Sequence, residues 1–153
     1  MERILGIDYG ERRMGTALGD TLSGMAMPLV TVPVDSDATA VAAVVALCRE
    51  HGIGRIVVGL PLNMNGSRGE MVERVERFLT LLRGLVTVPV ETCDERLSSG
   101  LVERVLLEAD MSRSRRKEVR DKLAAQVILQ GYLDAAATRA ENDLFDLEPG
   151  DEA

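Results

Sequence analysis

The sequence predicts an α/β domain in which one mixed β-sheet is covered by helices on both faces. Residues 3–9, 14–19 and 27–33 form three closely spaced strand-like segments separated by short turns, which is typical of an antiparallel meander. From residue 36 onward, helical and strand-like segments alternate, and that pattern favours βαβ units with right-handed crossovers. The run Arg55–Leu60 is almost continuously apolar, as expected of a strand buried on both faces.

The remaining elements follow from apolar periodicity and from residues that start or interrupt an element. Ser36 or Asp37 can cap a helix over 36–51. A fifth strand over 87–93 contains Pro89, which favours the sheet edge because proline lacks an N–H donor. Further helices are predicted at 69–83, 96–109 and 114–137. Strand 1 is expected between strands 2 and 4, so its carboxyl end is a typical position for a site.

Length and charge favour a single domain with an acidic tail. The chain has 153 residues and a net charge of −7, but residues 141–153 contain six acids and no base. The rest of the chain has 18 basic and 19 acidic residues, so the total charge does not argue against a nucleic-acid partner. We expect one folded domain over 1–139 and a disordered tail over 140–153.

Composition disfavours several classes of protein. No apolar stretch approaches the roughly 20 residues of a membrane span, and the N-terminus has no signal-peptide pattern. Cys48 and Cys93 have neither a disulfide framework nor metal-ligand spacing, so we expect a cytoplasmic protein with reduced thiols and no membrane partner. His51 is the only histidine, which argues against zinc sites and histidine-based acid–base catalysis.

Acids at two strand ends are candidates for chemistry. Asp8 ends the predicted central strand, although an aspartate two residues before Gly10 is also common in turns. Asp94 and Glu95 directly follow strand 5. Consecutive side chains point in different directions, so only one of these two acids readily faces a site. The alternative is a helix N-cap, formed by Asp94 or Ser98.

Asp121 is the third acidic candidate. Its helical stripe continues through Ala124, Ala125, Ile128 and Tyr132, and an acid buried on such a stripe needs a partner or a metal. The small alanines allow the helix to approach the sheet closely, which brings Asp121 toward the strand ends. The alternative is that Asp121 lies at an exposed helix start, where the helix dipole favours acids.

The three acids together favour a divalent-metal site. Carboxylates that converge on one point repel one another, and Mg²⁺ removes that repulsion while it binds water and phosphate oxygens. Two such ions can activate a water molecule and stabilise the leaving oxygen of a phosphodiester. The sequence therefore favours phosphodiester hydrolysis.

Four stretches of the sequence resemble those of one known family. They are GIDYGERRMGTA (6–17), VVGLPLNMNGS (57–67), DERLSS (94–99) and DKLAAQVILQGYL (121–133), in the order and spacing of the YqgF/RuvX family of the RNase H-like superfamily. The resemblance implies an RNase H-like α/β fold with a five-stranded mixed sheet of order 3-2-1-4-5, in which strand 2 is antiparallel. Residues 1–139 would then be a nuclease domain.

The resemblance also implies an activity and a set of site residues. Family members look like nucleases with a divalent-metal carboxylate cluster, and they are linked to maturation of the 5′ end of 16S ribosomal RNA. By motif, the catalytic and metal-binding residues are Asp8, Glu95 and Asp121. We hypothesise that Asp8 bridges two Mg²⁺ or Mn²⁺ ions. The implied partner is precursor ribosomal RNA, free or in a pre-ribosomal particle, or a DNA junction. The protein would act as a monomer or a homodimer.

Basic residues near these motifs are candidates for phosphate contacts. Arg96 resembles the family's arginine and would bind phosphate or orient Glu95. The others lie beside the Asp8 turn or in a basic segment, and they are Arg12, Arg13, Arg113, Arg115, Arg116 and Lys117. A solvated surface role is the alternative for each. Asn65 stands where the family often has aspartate, which argues against a metal role at that position.

Three other functions remain open at this point. An older interpretation makes such proteins Holliday junction resolvases, and a dimer would then hold two sites. A non-catalytic RNA-binding assembly factor would use the acidic cluster as a structural metal site. The segment 6–10 also looks like the phosphate loop of actin-like ATPases and sugar kinases, which need a second lobe that 153 residues do not supply.

Overall fold

The computed structural model describes residues 1–62, 68–95 and 112–146. These ranges contain, in order, β1 (Arg3–Tyr9), β2 (Arg13–Asp20), β3 (Ala26–Pro33), α1 (Asp37–His51), β4 (Arg55–Leu60), α2 (Glu70–Leu85), β5 (Val90–Asp94) and α3 (Arg113–Asp146). The helix predicted over 96–109 lies outside the described residues, as does Asn65.

The five strands form one mixed sheet of order β3-β2-β1-β4-β5. β2 is antiparallel to β1 and to β3, whereas β1, β4 and β5 are parallel to one another. The predicted order is therefore confirmed, with β1 at the centre and β5 at an edge. β5 begins at Val90 rather than at residue 87, so Pro89 precedes the strand. Its carbonyl oxygen accepts a hydrogen bond of 2.9 Å from the N–H of Ile56.

Different helices pack on the two faces of the sheet. Leu5, Ile7 and Tyr9 of β1 belong to a core that contains buried side chains of α1 and α2. Ile4 lies on the opposite face in a second core, whose α3 members are Ala125, Ile128, Leu129 and Leu133. Side chains alternate along a strand, so Gly6 and Asp8 lie on the α3 face with Ile4.

Helix α3 lies close to the sheet because Gly6 has no side chain. A Cβ atom at Gly6 would be 2.8 Å from the Cβ of Leu129 and 3.2 Å from the carbonyl oxygen of Ala125. Two glutamines attach the helix to the start of β3. Gln126 donates to the carbonyl oxygen of Ala26 (3.0 Å), and the amide oxygen of Gln130 accepts from the N–H of the same residue (2.9 Å).

The ends of two helices refine the sequence prediction. Ser36, rather than Asp37, caps α1, and its side chain accepts a hydrogen bond from the N–H of Thr39. Helix α3 continues to Asp146 instead of ending near residue 137, because no glycine or proline interrupts 132–146. Residues 140–146 are thus helical and not disordered as predicted, while 147–153 lie outside the described residues.

None of the helices in the described ranges is long and apolar enough to cross a membrane. Helix α3 is the longest of them, with 34 residues, and charged side chains occur along its length.

Candidate active site

Asp8 lies at the carboxyl end of the central strand, between two glycines on the neighbouring strands. Its Cα pairs with that of Gly15 on β2. On the other side, Ile7 pairs with Val58 of β4. The residues that follow these two, Asp8 and Gly59, therefore lie side by side. Neither of these two neighbours carries a side chain, so other groups can approach the carboxylate of Asp8 along the α3 face.

Glu95 reaches toward Asp8 from the end of β5. Its N–H donates to the carbonyl oxygen of Leu60 at 3.2 Å, so the pairing of β4 with β5 continues past Asp94. Cys93 packs into the α3-side core, and by alternation Glu95 points to the same face while Asp94 points to the other. Glu95 is therefore the acid of this pair that faces the candidate site.

The side chain of Glu95 crosses β4 over Gly59. A Cβ atom at Gly59 would be 2.5 Å from Oε1 of Glu95, 2.8 Å from its Cγ and 2.6 Å from Cδ1 of Ile128. Only a glycine at position 59 leaves room for the side chains of Glu95 and Ile128. The sequence contained a signal for the contact, since a glycine inside a strand often marks a close approach, but no role was assigned to Gly59 from the sequence.

The carboxyl groups of Glu95 and Asp8 form a hydrogen bond. Burial, the negative charge and hydrogen bond of Asp8, and the charge of Asp94 raise the pKa of Glu95 to about 8. Burial and the negative charges of Asp94 and Glu95 also raise the pKa of the Cys93 thiol. Without a cation, Glu95 is therefore mostly protonated at neutral pH, and a cation between the two carboxyls would favour the loss of this proton.

This raised pKa predicts how the stability of the metal-free protein depends on pH. Folded Glu95 keeps a proton up to a pKa of about 8, whereas unfolded Glu95 loses it near the ordinary value of 4.5. The folded state thus binds more protons between these values, so the free energy of unfolding should fall as pH rises from 5 to 8, by roughly 3 kcal/mol. Urea unfolding in EDTA at a series of pH values measures this fall in the free energy of unfolding. Glu95→Gln should remove most of the pH dependence. A parent protein that gained stability over this range would contradict the prediction.

Asp121 lies on α3 one helical turn before Ala125. Leu133 and Leu129 approach Gly19 of β2, while Leu129 and Ala125 approach Gly6 of β1. Successive turns of α3 toward its N-terminus therefore contact sheet positions that are progressively closer to Asp8. The side chain of Asp121 lies outside the described part of the structure, so its place in the cluster stays a prediction.

A cleft of about 440 Å³ opens beside Asp8 on the β2 side. It is lined by Asp8, Gly10, Glu11, Arg12, Arg13, Gly15 and Thr31. Arg12 and Arg13 therefore share the lining of this cleft with Asp8, and their contact with phosphates stays a prediction. Nη1 of Arg74 on α2 forms an ion pair of 2.8 Å with Oε1 of Glu11, which offsets the negative charge of Glu11 at the cleft.

The other predicted phosphate contacts lie elsewhere or outside the described side chains. Arg113 and Arg115 are exposed at the start of α3, and Arg116 is half-buried there. None of these three belongs to the described lining of the cleft. The side chains of Arg96 and Lys117 lie outside the described part of the structure.

The donor set fits a divalent cation that prefers oxygen ligands. Asp8 and Glu95 present two adjacent carboxyl groups beside an open cleft, and Mg²⁺ completes such a shell with water and phosphate oxygens. Among the described side chains, no group of three His, Cys, Asp or Glu residues could hold a metal. A third protein ligand would have to come from beyond them, and Asp121 is the predicted one.

Comparisons with known sequences match almost the whole described domain. A family model described as RuvX, Holliday junction resolvase, matches residues 2–135. A protein of Symbiobacterium thermophilum named "Putative pre-16S rRNA nuclease" is 49% identical over 137 residues, which cover 90% of this chain and 95% of the relative. A protein of Moorella thermoacetica with the same name is 48% identical over 132 residues, or 86% and 94% of the two chains.

Comparisons with solved structures show the fold. T. thermophilus RuvC in complex with a Holliday junction substrate superposes with a TM-score of 0.54 and 16% identity, over 90% of this chain and 96% of RuvC. The fowlpox virus Holliday junction resolvase has a TM-score of 0.51 and 10% identity, over 87% and 99%. At identities this low, the structural similarity shows the RNase H-like fold and nothing further. The family model and the close relatives decide the family: the chain belongs to the RuvX family.

Proposed function

We propose that this protein is a divalent-metal-dependent nuclease that hydrolyses phosphodiester bonds of structured nucleic acid, in 5′-end processing of precursor 16S ribosomal RNA. The observation that carries the proposal is the hydrogen-bonded pair of Asp8 and Glu95, which lies at the centre of the sheet beside an arginine-lined cleft. The names of the close relatives support the ribosomal substrate.

In this proposal, Asp8, Glu95 and Asp121 hold the cation, which is Mg²⁺ or Mn²⁺, and two ions are expected. A bound divalent cation lowers the pKa of water and offsets charge on the phosphate. Asp8 supplies a rigid ligand because β1 is paired with strands on both sides. Glu95 would lose its proton on cation binding, so the two carboxylates would together contribute two negative charges.

The positively charged residues act on the substrate. Arg12 and Arg13 line the cleft next to Asp8, where they bind phosphate oxygens and hold the reacting phosphodiester against the carboxylates. Arg96, Arg113, Arg115, Arg116 and Lys117 are proposed to contact phosphates farther along the nucleic acid. Such contacts would make binding fall steeply with salt.

Resolution of four-way DNA junctions is the second candidate function. The description of the family model names this activity, and the RuvC structure with a similar fold is a complex with such a substrate. Cleavage of a junction at two symmetric positions would require a dimer, whereas trimming of an RNA end would not.

A cleavage assay separates these functions. The purified protein is incubated in Mg²⁺ and in Mn²⁺ with precursor 16S RNA, and mature-length 16S RNA serves as the matched control. A four-way DNA junction is compared with a linear duplex of the same sequence. We expect the precursor to be shortened at its 5′ end and Asp8→Asn to be inactive. Specific junction cleavage alone would favour the resolvase, and RNA binding without any cleavage would favour a non-catalytic assembly factor.

A further inference from the structure

We infer that the cleft over Gly15 binds the sugar and phosphate of the nucleotide next to the scissile phosphate, so that the substrate strand leaves Asp8 across β2 and β3. This inference rests on the proposed nuclease function and adds a direction and two contact positions, Gly15 and Thr31. Gly15 lies within the motif at 6–17, but the motif alone assigns no contact to it, and Thr31 lies outside all four motifs.

The two sides of Asp8 differ in what occupies them. On the β4 side, the space above Gly59 is filled by the side chains of Glu95 and Ile128, which would lie 2.5 and 2.6 Å from a Cβ atom there. On the β2 side, Gly15 forms part of the wall of a cleft of about 440 Å³. A polynucleotide whose reacting phosphate lies at Asp8 therefore has room for its next unit above β2.

The cleft has a suitable size and charge for one sugar–phosphate unit. Its volume of about 440 Å³ is within the usual range of small-molecule sites, roughly 300–1,000 Å³. Arg12 and Arg13 contribute two positive charges to its lining, and the ion pair with Arg74 offsets the charge of Glu11. Arginines therefore lie on the side of Asp8 where the anionic ligand would bind.

Thr31 forms the outer edge of this subsite. It pairs with Gly15 across β2 and β3, and paired residues share a face, so Thr31 lies on the same face as Asp8. Thr31 is exposed, and it also lines the cleft. A hydroxyl there can donate to a phosphate oxygen or hydrogen-bond with a sugar hydroxyl.

The test places a negative charge at this edge. Thr31→Glu is compared with Leu22→Glu, which adds the same charge at the far end of the β2–β3 hairpin, where Leu22 is 81% exposed. Fluorescence anisotropy in EDTA measures binding of labelled single-stranded RNA and DNA of about 12 nucleotides and identical sequence. We expect Thr31→Glu to weaken binding about tenfold at low salt through repulsion of phosphate. Leu22→Glu should stay within about twofold of the parent.

Two further measurements sharpen the result. In Mg²⁺, Thr31→Glu should raise KM about tenfold and leave kcat within about twofold, because the added charge opposes ground-state binding. Binding of the RNA and DNA oligonucleotides by Thr31→Ala shows whether the threonine contacts the ribose 2′-hydroxyl or the phosphate. A loss confined to RNA assigns the threonine to the 2′-hydroxyl, and an equal loss for RNA and DNA assigns it to phosphate.

The outcomes of the inference and of the proposed function are distinguishable. Weaker binding by Thr31→Glu supports the subsite even if the parent protein cleaves nothing, in which case only the nuclease proposal fails. The inference is overturned if Thr31→Glu binds both oligonucleotides as tightly as Leu22→Glu does, or if the parent protein binds neither of them.

Discussion

Asp8→Asn is expected to abolish cleavage while it leaves the protein folded. Asparagine keeps the shape of the side chain but removes the negative charge that would bind a cation. The rate in Mg²⁺ should fall about 10³-fold or more, which corresponds to roughly 4 kcal/mol of transition-state stabilisation. Single-turnover cleavage of the proposed substrate measures this loss.

The same substitution should stabilise the metal-free protein near pH 8. The asparagine side chain would be neutral, so the repulsion that raises the pKa of Glu95 would weaken. A matched control is Asp94→Asn, which makes the same chemical change on the opposite face of β5. This control should retain cleavage. Equal losses in the two variants, or full activity of Asp8→Asn, would rule out the special role of Asp8.

Gly59→Ala is expected to reduce cleavage about 100-fold, because small displacements of a reacting group have effects of this size. The new methyl group would lie 2.5 Å from Oε1 of Glu95 and 2.6 Å from Cδ1 of Ile128, so both side chains must move. Glu95 would lose its position over β4 and its hydrogen bond to Asp8. Stability should also fall, by about 1–3 kcal/mol, because the substitution overpacks the core.

A second variant separates the displacement of Glu95 from the loss of packing. Ile128→Val deletes the Cδ1 atom that the new methyl group would meet, but it leaves the contact of that methyl group with Glu95 unchanged. The double variant should therefore regain stability in urea unfolding without regaining cleavage. Recovery of cleavage together with stability would indicate that Gly59 acts through packing alone.

The fold was predictable from the sequence because its core strands are strongly patterned. The apolar runs of β1 and β4, and the turns of the first three strands, define a central β1 without any tertiary information. The end of α3 was not predictable in this way. Residues 138–144 are exposed, so no apolar periodicity distinguishes a helix there from a disordered tail.

The candidate site was predictable only in part. The carboxyl ends of parallel strands meet at one edge of a sheet, so acids after β1 and β5 were expected to lie close together. Which of Asp94 and Glu95 faces Asp8 depends on the register of β5, so the strand pattern leaves this choice open and only the motif resemblance indicates Glu95. The roles of Gly15 and Gly59 likewise arise from their positions beside Asp8 on adjacent strands.

The central claim is that Asp8 and Glu95 bind a divalent cation together, and calorimetric titration with Mn²⁺ at pH 6 and pH 8 tests it most directly. The raised pKa of Glu95, about 8, predicts binding that is tighter at pH 8 by about tenfold or more and that releases protons. Glu95→Gln should weaken Mn²⁺ binding and remove this pH dependence. Asp94→Asn should retain the affinity of the parent protein and its pH dependence. Mn²⁺ affinity that is equal at the two pH values, or unchanged in Glu95→Gln, would contradict the claim.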